Sequence, residues 1–141
     1  MEQNCVDEIV ELMPRFVELL SSDHQGVVTE AASVVANIAA SPGEHSSTRV
    51  IESGAVPLLI KLLGSTENND LKDHAALALG NVAIGSAQAR NHVIDSGGLE
   101  PLMKVMNDFV EGQSTSARVL NSTVWTVSQL CRAVPRPSVE V

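Results

Sequence analysis

Residues 49–63 read RVIESGAVPLLIKLL, and this stretch decides the fold because a second version of it follows in the same chain. The second version, at residues 92–106, reads HVIDSGGLEPLMKVM and lies 43 positions further on. The same shift in the opposite direction places Pro14 on Pro57, so a weaker version lies near the start. Repetition at a fixed period of this length is typical of a solenoid built from stacked helical repeats.

A second landmark supports the presence of three repeats. It reads VVANIA at residues 34–39, ALGNVA at 78–83 and, more loosely, TVSQLC at 126–131. The spacings of 44 and 48 residues agree with the roughly 40 to 47 residues of helical solenoid repeats once a longer loop precedes the third version. We therefore predict a single array over the whole chain, with approximate repeats at residues 1–43, 44–86 and 87–141.

The apolar residues within each repeat follow a helical period. Leu59 and Leu63, for example, recur one helical turn apart, and no alternation of apolar and polar residues competes with this spacing. Gly54 and Gly97 fall where a short helix has to turn sharply into the next one, a place where glycine tolerates a positive φ angle. The pattern predicts an all-α fold with three helices in each repeat. We predict the third helices at residues 27–40, 71–84 and 116–132.

The charge and hydropathy of the chain argue against several classes of partner. Lys and Arg number 9 against 17 Asp and Glu, a formal net charge of -8, whereas nucleic-acid surfaces need an excess of basic side chains. The longest apolar run, residues 55–60, is too short for a membrane span of about 20 residues. We predict no nucleic-acid and no membrane partner, and a basic partner is favoured. The acidic group at Glu67, Asp70 and Asp73 is predicted to be a solvated surface.

Motifs for catalysis and metal binding are absent from the sequence. It contains no phosphate-binding glycine loop, no nucleophile elbow and no paired histidines of a zinc site. The four histidines are scattered, and Cys5 and Cys131 lie at opposite ends of the chain without a CxxC motif. The sequence therefore predicts a protein that is not an enzyme and that uses no cofactor or metal.

The repeated landmarks resemble one family in particular. Residues 14–20, 51–57 and 78–83 are similar to the first two armadillo repeats of the importin-α (karyopherin-α) family. Residues 124–132, VWTVSQLCR, followed by two prolines, resemble its third repeat and are the most specific stretch. The resemblance covers the whole chain and implies a right-handed superhelical armadillo-repeat solenoid of about three repeats.

The resemblance also implies a binding surface. In importin-α proteins the third helices line a concave groove that holds an extended, lysine-rich nuclear localisation signal, and a Trp with an Asn four residues later recurs along it. A Trp face suits the stem and ammonium group of a lysine, and an Asn amide suits a peptide backbone. Carried over to this sequence, the three pairs are Ser33 and Asn37, Leu77 and Asn81, and Trp125 and Gln129.

Three further positions correspond to groove residues of the family. Thr48 matches a groove threonine, and His74 stands where the family has Gln. Gly85 stands where the family has the acidic residue that receives the best-bound lysine. Because two Trp faces and this carboxylate are missing, the groove is predicted to bind a standard localisation signal more weakly.

The function that the resemblance implies is that of a nuclear import adaptor found in the cytoplasm and the nucleus. Its partners would be cargo proteins with Lys/Arg-rich nuclear localisation signals. We expect importin-β to join only if the basic segment that precedes the repeats in the family, and that this sequence lacks, is supplied. The alternative is a diverged or truncated armadillo scaffold that binds another peptide or protein without import activity.

The residues themselves leave structural roles open. Asn37 and Asn81 could brace neighbouring loops, and Trp125 could serve packing alone. The face beyond Trp125 and Leu130 has no following repeat in this sequence, so it is predicted to be open. Self-association through that open C-terminal face is a further hypothesis.

Overall fold

The computed structural model describes residues 3–42, 45–113 and 115–132 of the chain. Within these residues the chain forms nine α-helices and no strand. In chain order they are α1 Gln3–Val10, α2 Met13–Leu19, α3 Gln25–Ala40, α4 Ser46–Glu52, α5 Ala55–Ser65, α6 Asn69–Ile84, α7 Ala87–Asp95, α8 Leu99–Val110 and α9 Ala117–Leu130. They form three groups of three in which the third helix is the longest, so the predicted three-repeat, all-helical solenoid is confirmed.

The third helices α3, α6 and α9 begin and end within two residues of their predicted bounds. Polar side chains fix the starts of two of them, because an oxygen at the N-cap position satisfies a backbone N–H of the first turn. The side chain of Asn68 accepts from the backbone N–H of Leu71 at the start of α6, and Ser116 accepts from that of Val119 at the start of α9.

Two glycines make the sharp turns between first and second helices, as predicted. Gly54 has a φ angle of 82° between α4 and α5, and Gly97 has a φ angle of 92° between α7 and α8. A side chain at either position would be strained, since the left-handed region brings Cβ too close to the backbone. The local direction of the chain therefore depends on glycine at the same point of two repeats.

The third helices lie side by side and form the innermost layer of the stack. The most extensive helix pairs are α3 with α6 and α6 with α9, while α5 packs on α8 in a second layer. Helix α6 lies in the middle, and its small side chains let its neighbours approach closely. Its fully buried apolar residues are Ala75, Ala76, Ala78, Leu79, Val82 and Ala83.

The open C-terminal face differs from the prediction at one residue. Leu130 is only 6% exposed, whereas Val124 is 50% exposed. The helical period explains the difference, because Leu130 lies one turn after Thr126 on the side of α9 that faces α6. Val124 lies on the opposite side of the helix, so Val124 and not Leu130 marks the uncovered face.

No helix in the described ranges combines the length and the apolar character that crossing a bilayer requires.

Candidate functional site

The three predicted pairs lie at equivalent places on three neighbouring helices. Each pair is one helical turn apart and therefore shares a helix face. Asn37 is exposed, and the other five side chains are half-buried. We call the surface that they share the third-helix face. Its six residues are Ser33 and Asn37 on α3, Leu77 and Asn81 on α6, and Trp125 and Gln129 on α9.

Trp125 lies against the backbone of α6 at Gly80. A Cβ atom at Gly80 would lie 2.9 Å from Cε3 of Trp125 and 2.6 Å from Oγ1 of Thr126, so a side chain would not fit there. The edge of the indole ring is thus held in place by packing, while the half-buried ring keeps part of its surface accessible. A rigid, partly exposed aromatic face suits the aliphatic stem of a lysine or arginine.

Asn81 braces the neighbouring repeat, although its partner lies in a helix and not in a loop, as the alternative interpretation had it. Its Nδ2 donates a hydrogen bond of 3.0 Å to the backbone carbonyl of Ala36 on α3. A carboxamide has two N–H donors and one carbonyl oxygen, so one donor and the oxygen of Asn81 are left for a ligand. Bracing and peptide binding are therefore compatible at this residue.

Asn37 differs from Asn81 because no helix of a preceding repeat lies beside it in the described part of the chain. Its side chain is exposed, and its backbone carbonyl accepts a bond from Ser41 Oγ at 3.0 Å. An asparagine in the middle of a helix lowers helix propensity relative to alanine. Because the residue is exposed, its carboxamide can contact a bound chain.

Gly85 lies against α4 at Ser47, the residue before the predicted groove residue Thr48. A Cβ atom at Gly85 would lie 2.5 Å from Cβ of Ser47, so any side chain there requires α4 to shift. A shallow pocket of about 490 Å³ opens beside it and is lined by Asn81, Ile84 and Ser47 among other residues. Thr48 itself is exposed at the start of α4 and is not part of this pocket lining.

His74 lies on α6, closer to the start of the helix. It is half-buried and stands seven residues before Asn81, on the same side of the helix. The structure thus places His74 in line with the pair Leu77 and Asn81. Within the described residues no three side chains among His, Cys, Asp and Glu come together as a metal site would require.

The sequence did not predict the contact that Asp73, Ser122 and Arg118 make between two repeats. Asp73 was predicted to be solvated with Asp70, yet it is 6% exposed. Ser122 Oγ donates to Asp73 Oδ1, Arg118 Nε lies 3.7 Å from Asp73 Oδ2, and Arg118 also pairs with Asp70. These bonds join α6 to α9. The sequence held one signal for this contact: Arg118 and Asp70 are 48 residues apart, which equals the spacing between the second and third repeats.

Comparison with known proteins agrees with this geometry. The family profile described as Armadillo/beta-catenin-like repeat matches residues 2–40 and 47–84. Importin subunit alpha-1b of Oryza sativa subsp. japonica is 36% identical over 138 residues, which is 96% of this chain and 24% of the relative. Importin subunit alpha-3 of Arabidopsis thaliana is 38% identical over 144 residues, 99% of this chain and 26% of the relative. The chain thus spans about a quarter of the length of these relatives.

Solved structures with the same architecture include an engineered protein and a designed armadillo repeat protein. An engineered protein of a structural genomics consortium matches with a TM-score of 0.80 and 29% identity, over 92% of this chain and 50% of that one. A designed armadillo repeat protein in complex with the peptide (KR)4 matches with a TM-score of 0.79 and 26% identity, over 89% of this chain and 50% of that one. The chain therefore belongs to the non-enzymatic armadillo/beta-catenin-like repeat family, with importin alpha subunits among its relatives.

Proposed function

We propose that the third-helix face binds extended Lys/Arg-rich peptide segments and that the chain acts as an importin-α-like adaptor for cargo with nuclear localisation signals. The observation that carries the proposal is that the three pairs lie at equivalent places on three neighbouring helices, with Asn37 and Asn81 at the second position of their pairs and Trp125 at the first position of its pair. The importin alpha relatives support it. The designed armadillo protein in complex with (KR)4 supports the basic character of the peptide.

The three side chains have two different roles in this proposal. Asn37 and the free half of the Asn81 carboxamide hold the peptide backbone, because an amide offers a donor and an acceptor to a peptide unit. The Trp125 ring holds the stem of a Lys or Arg and attracts its charge. The net charge of -8 speeds the approach of a basic segment and makes it sensitive to salt.

A second candidate function is favoured by what stands at Gly85, Ser33 and Leu77. Gly85 provides no carboxylate, and its position cannot take a side chain unless Ser47 and α4 move away from it. Ser33 and Leu77 provide no aromatic face. These residues favour a diverged armadillo scaffold that uses the same surface for a peptide of another composition, without import activity.

Fluorescence anisotropy with labelled (KR)4 tests the first candidate, at low and at physiological salt. We expect micromolar affinity that falls as salt rises. Asn37→Ala should weaken binding by about fivefold, the equivalent of about 1 kcal/mol. Since Asn37 is exposed, the variant should keep its helical circular dichroism. Trp125 is the only tryptophan of the sequence, so its emission gives a second readout of peptide binding.

The matched control for this titration is Val110→Ala at the end of α8, because Val110 is 83% exposed and lies outside the third-helix face. It should bind like the unmodified chain. A helical, folded protein that shows no binding to (KR)4 in either salt contradicts the adaptor function and leaves the diverged scaffold as the function to pursue. If the adaptor function holds, we propose the cytoplasm and the nucleus as its location, and importin-β as a further partner only where the family's basic N-terminal segment is supplied.

A further inference from the structure

The contact between consecutive repeats defines two sides on every third helix. Thr126 Oγ1 on α9 donates a hydrogen bond of 2.7 Å to the backbone carbonyl of Ala76 on α6. In the previous repeat pair, Asn81 Nδ2 donates to the carbonyl of Ala36. We call the side of a third helix that faces the next repeat its following side, and this side carries Ala36 on α3 and Ala76 on α6. The side that faces the previous repeat is the preceding side, and it carries Thr126 on α9.

Exposure at repeat-equivalent positions shows where these sides are covered. On the following side, Ala32 and Ala76 are 0% exposed, whereas the equivalent Val124 on α9 is 50% exposed. On the preceding side, Leu71 and Val119 are 2% and 0% exposed, whereas the equivalent Val27 on α3 is 38% exposed. Two interface sides are therefore uncovered among the described residues, one at each end of the stack.

Each uncovered side has an apolar patch. At the first repeat, a hollow of about 680 Å³ lies between α2 and α3 and is lined by Phe16, Leu19 and Val34 among others. At the last repeat, Leu120, Val124 and Val127 follow each other at helical spacing along the outer side of α9. Exposed apolar surfaces of this kind are typical of association sites.

We propose that these two sides bind each other in different copies of the chain, so that copies stack head to tail. The preceding side of α3 in one copy would pack on the following side of α9 in another, as α9 packs on α6 within the chain. The argument is continuity with the established contact, because both surfaces are repeat equivalents of surfaces that already fit each other. This inference rests on the fold and is independent of the proposed peptide binding.

The polar residues of the two sides are compatible with this stacking. Asn37 is the equivalent of Asn81, so its Nδ2 would donate to the carbonyl of Ser128, which is the equivalent of Ala36. Glu30, the equivalent of Ser122, would lie opposite Asn121, the equivalent of Asp73, so this position brings no two like charges together. The third-helix face would continue from one copy into the next. Because the contact joins unlike surfaces, it generates open-ended chains and not closed dimers.

Sedimentation velocity with two single variants tests the arrangement. Val124→Glu blocks the C-terminal side, and Val27→Glu blocks the N-terminal side. For the unmodified chain we expect the average mass to rise with concentration without a plateau at the dimer. Each variant alone should associate at least about tenfold more weakly. An equimolar mixture should form a dimer, because each variant retains one of the two complementary sides.

The controls separate this arrangement from other forms of association. Val110→Glu adds the same charge at an exposed position. The repeat equivalent of Val110 is Glu67, which stays exposed although a repeat follows it. This variant should therefore associate like the unmodified chain. A reducing agent throughout prevents cross-linking through the exposed Cys131. Circular dichroism confirms folding, and Leu19→Glu replaces Val27→Glu if that variant unfolds.

Three outcomes would overturn the proposal. One is a monomer at every concentration. Another is a dimer that Val124→Glu abolishes and Val27→Glu leaves intact, since this indicates two C-terminal sides packed on each other. The third is a mixture of the two variants that stays monomeric while the unmodified chain associates.

Discussion

Gly80 is the residue that allows α6 and α9 to approach each other. The space above its Cα is taken by the ring of Trp125 and the hydroxyl of Thr126. The hydroxyl in turn donates to the carbonyl of Ala76, one turn earlier on α6. A single missing side chain therefore fixes both the distance between two repeats and the position of the aromatic ring on the third-helix face.

Replacing Gly80 by alanine should destabilise the protein although alanine is the better helix former. The Cβ atom would lie 2.6 Å from Oγ1 of Thr126, and such overpacking costs about 1 to 3 kcal/mol, against a gain of about 1 kcal/mol in helix propensity. We expect a lower urea midpoint. Gly26→Ala is the matched control, since nothing lies within 4 Å of its Cβ position, and it should be neutral or stabilising. Equal midpoints for Gly80→Ala and the unmodified chain would contradict the packing argument.

Asn37 and Asn81 are the same residue type at the same repeat position, but their surroundings differ. Asn81 has Ala36 of the preceding repeat as an acceptor, whereas Asn37 belongs to the first described repeat and its side chain is exposed. The position of a residue in the stack thus decides whether its amide braces the fold or is available to a ligand.

At the scale of helices, α6 and α9 are joined by a polar contact as well as by apolar packing. Asp73 is buried between them and accepts from Ser122, with Arg118 nearby. Asp70 pairs with the same arginine, but its side chain is 64% exposed. Buried charged groups that lose their partners cost far more than exposed ones.

The two aspartates should consequently differ in their effect on stability. Removing the buried acceptor by Asp73→Ala strands the Ser122 hydroxyl and should lower the free energy of unfolding by about 1 to 3 kcal/mol. Asp70→Ala removes an exposed pair and should cost less than about 1 kcal/mol. Urea unfolding followed by circular dichroism measures both values. A larger loss for Asp70→Ala than for Asp73→Ala would show that the buried contact is not the one that joins the helices.

At the scale of the whole molecule, the described helices pack mainly on their neighbours along the stack. Helix α6 lies between α3 and α9 and has more fully buried residues than any other described helix, while α2 packs mainly on α3. In such an array, stability is close to a sum of repeat and interface contributions. The middle repeat has two interfaces, and each outer repeat has one.

Amide hydrogen exchange should reveal this gradient. We expect the amides of α6 to exchange most slowly, those of α9 and α3 faster, and those of α1 and α2 fastest, because local opening is easiest where few contacts are lost. Mass spectrometry of peptic fragments resolves these segments. Uniform protection from α2 to α9 would show that the three repeats open as one cooperative unit.

The sequence alone predicted the architecture because the repeat is encoded locally. The helical period and the glycines at 54 and 97 act over a few residues, so the bounds of α3, α6 and α9 could be placed closely. The same period showed which residues of a third helix share a face. It thereby aligned the pairs of the third-helix face, whose binding role stays a prediction.

The tertiary structure decided which neighbour covers each face. Periodicity could not show that Asp73 is buried by α9, that Leu130 faces α6 while Val124 is exposed, or that Ser47 occupies the space beside Gly85. These facts depend on how helices from different repeats pack on each other, across separations of about one repeat. Local sequence determined each helix and its apolar face, and the stacking of the repeats determined which surfaces were left for a partner.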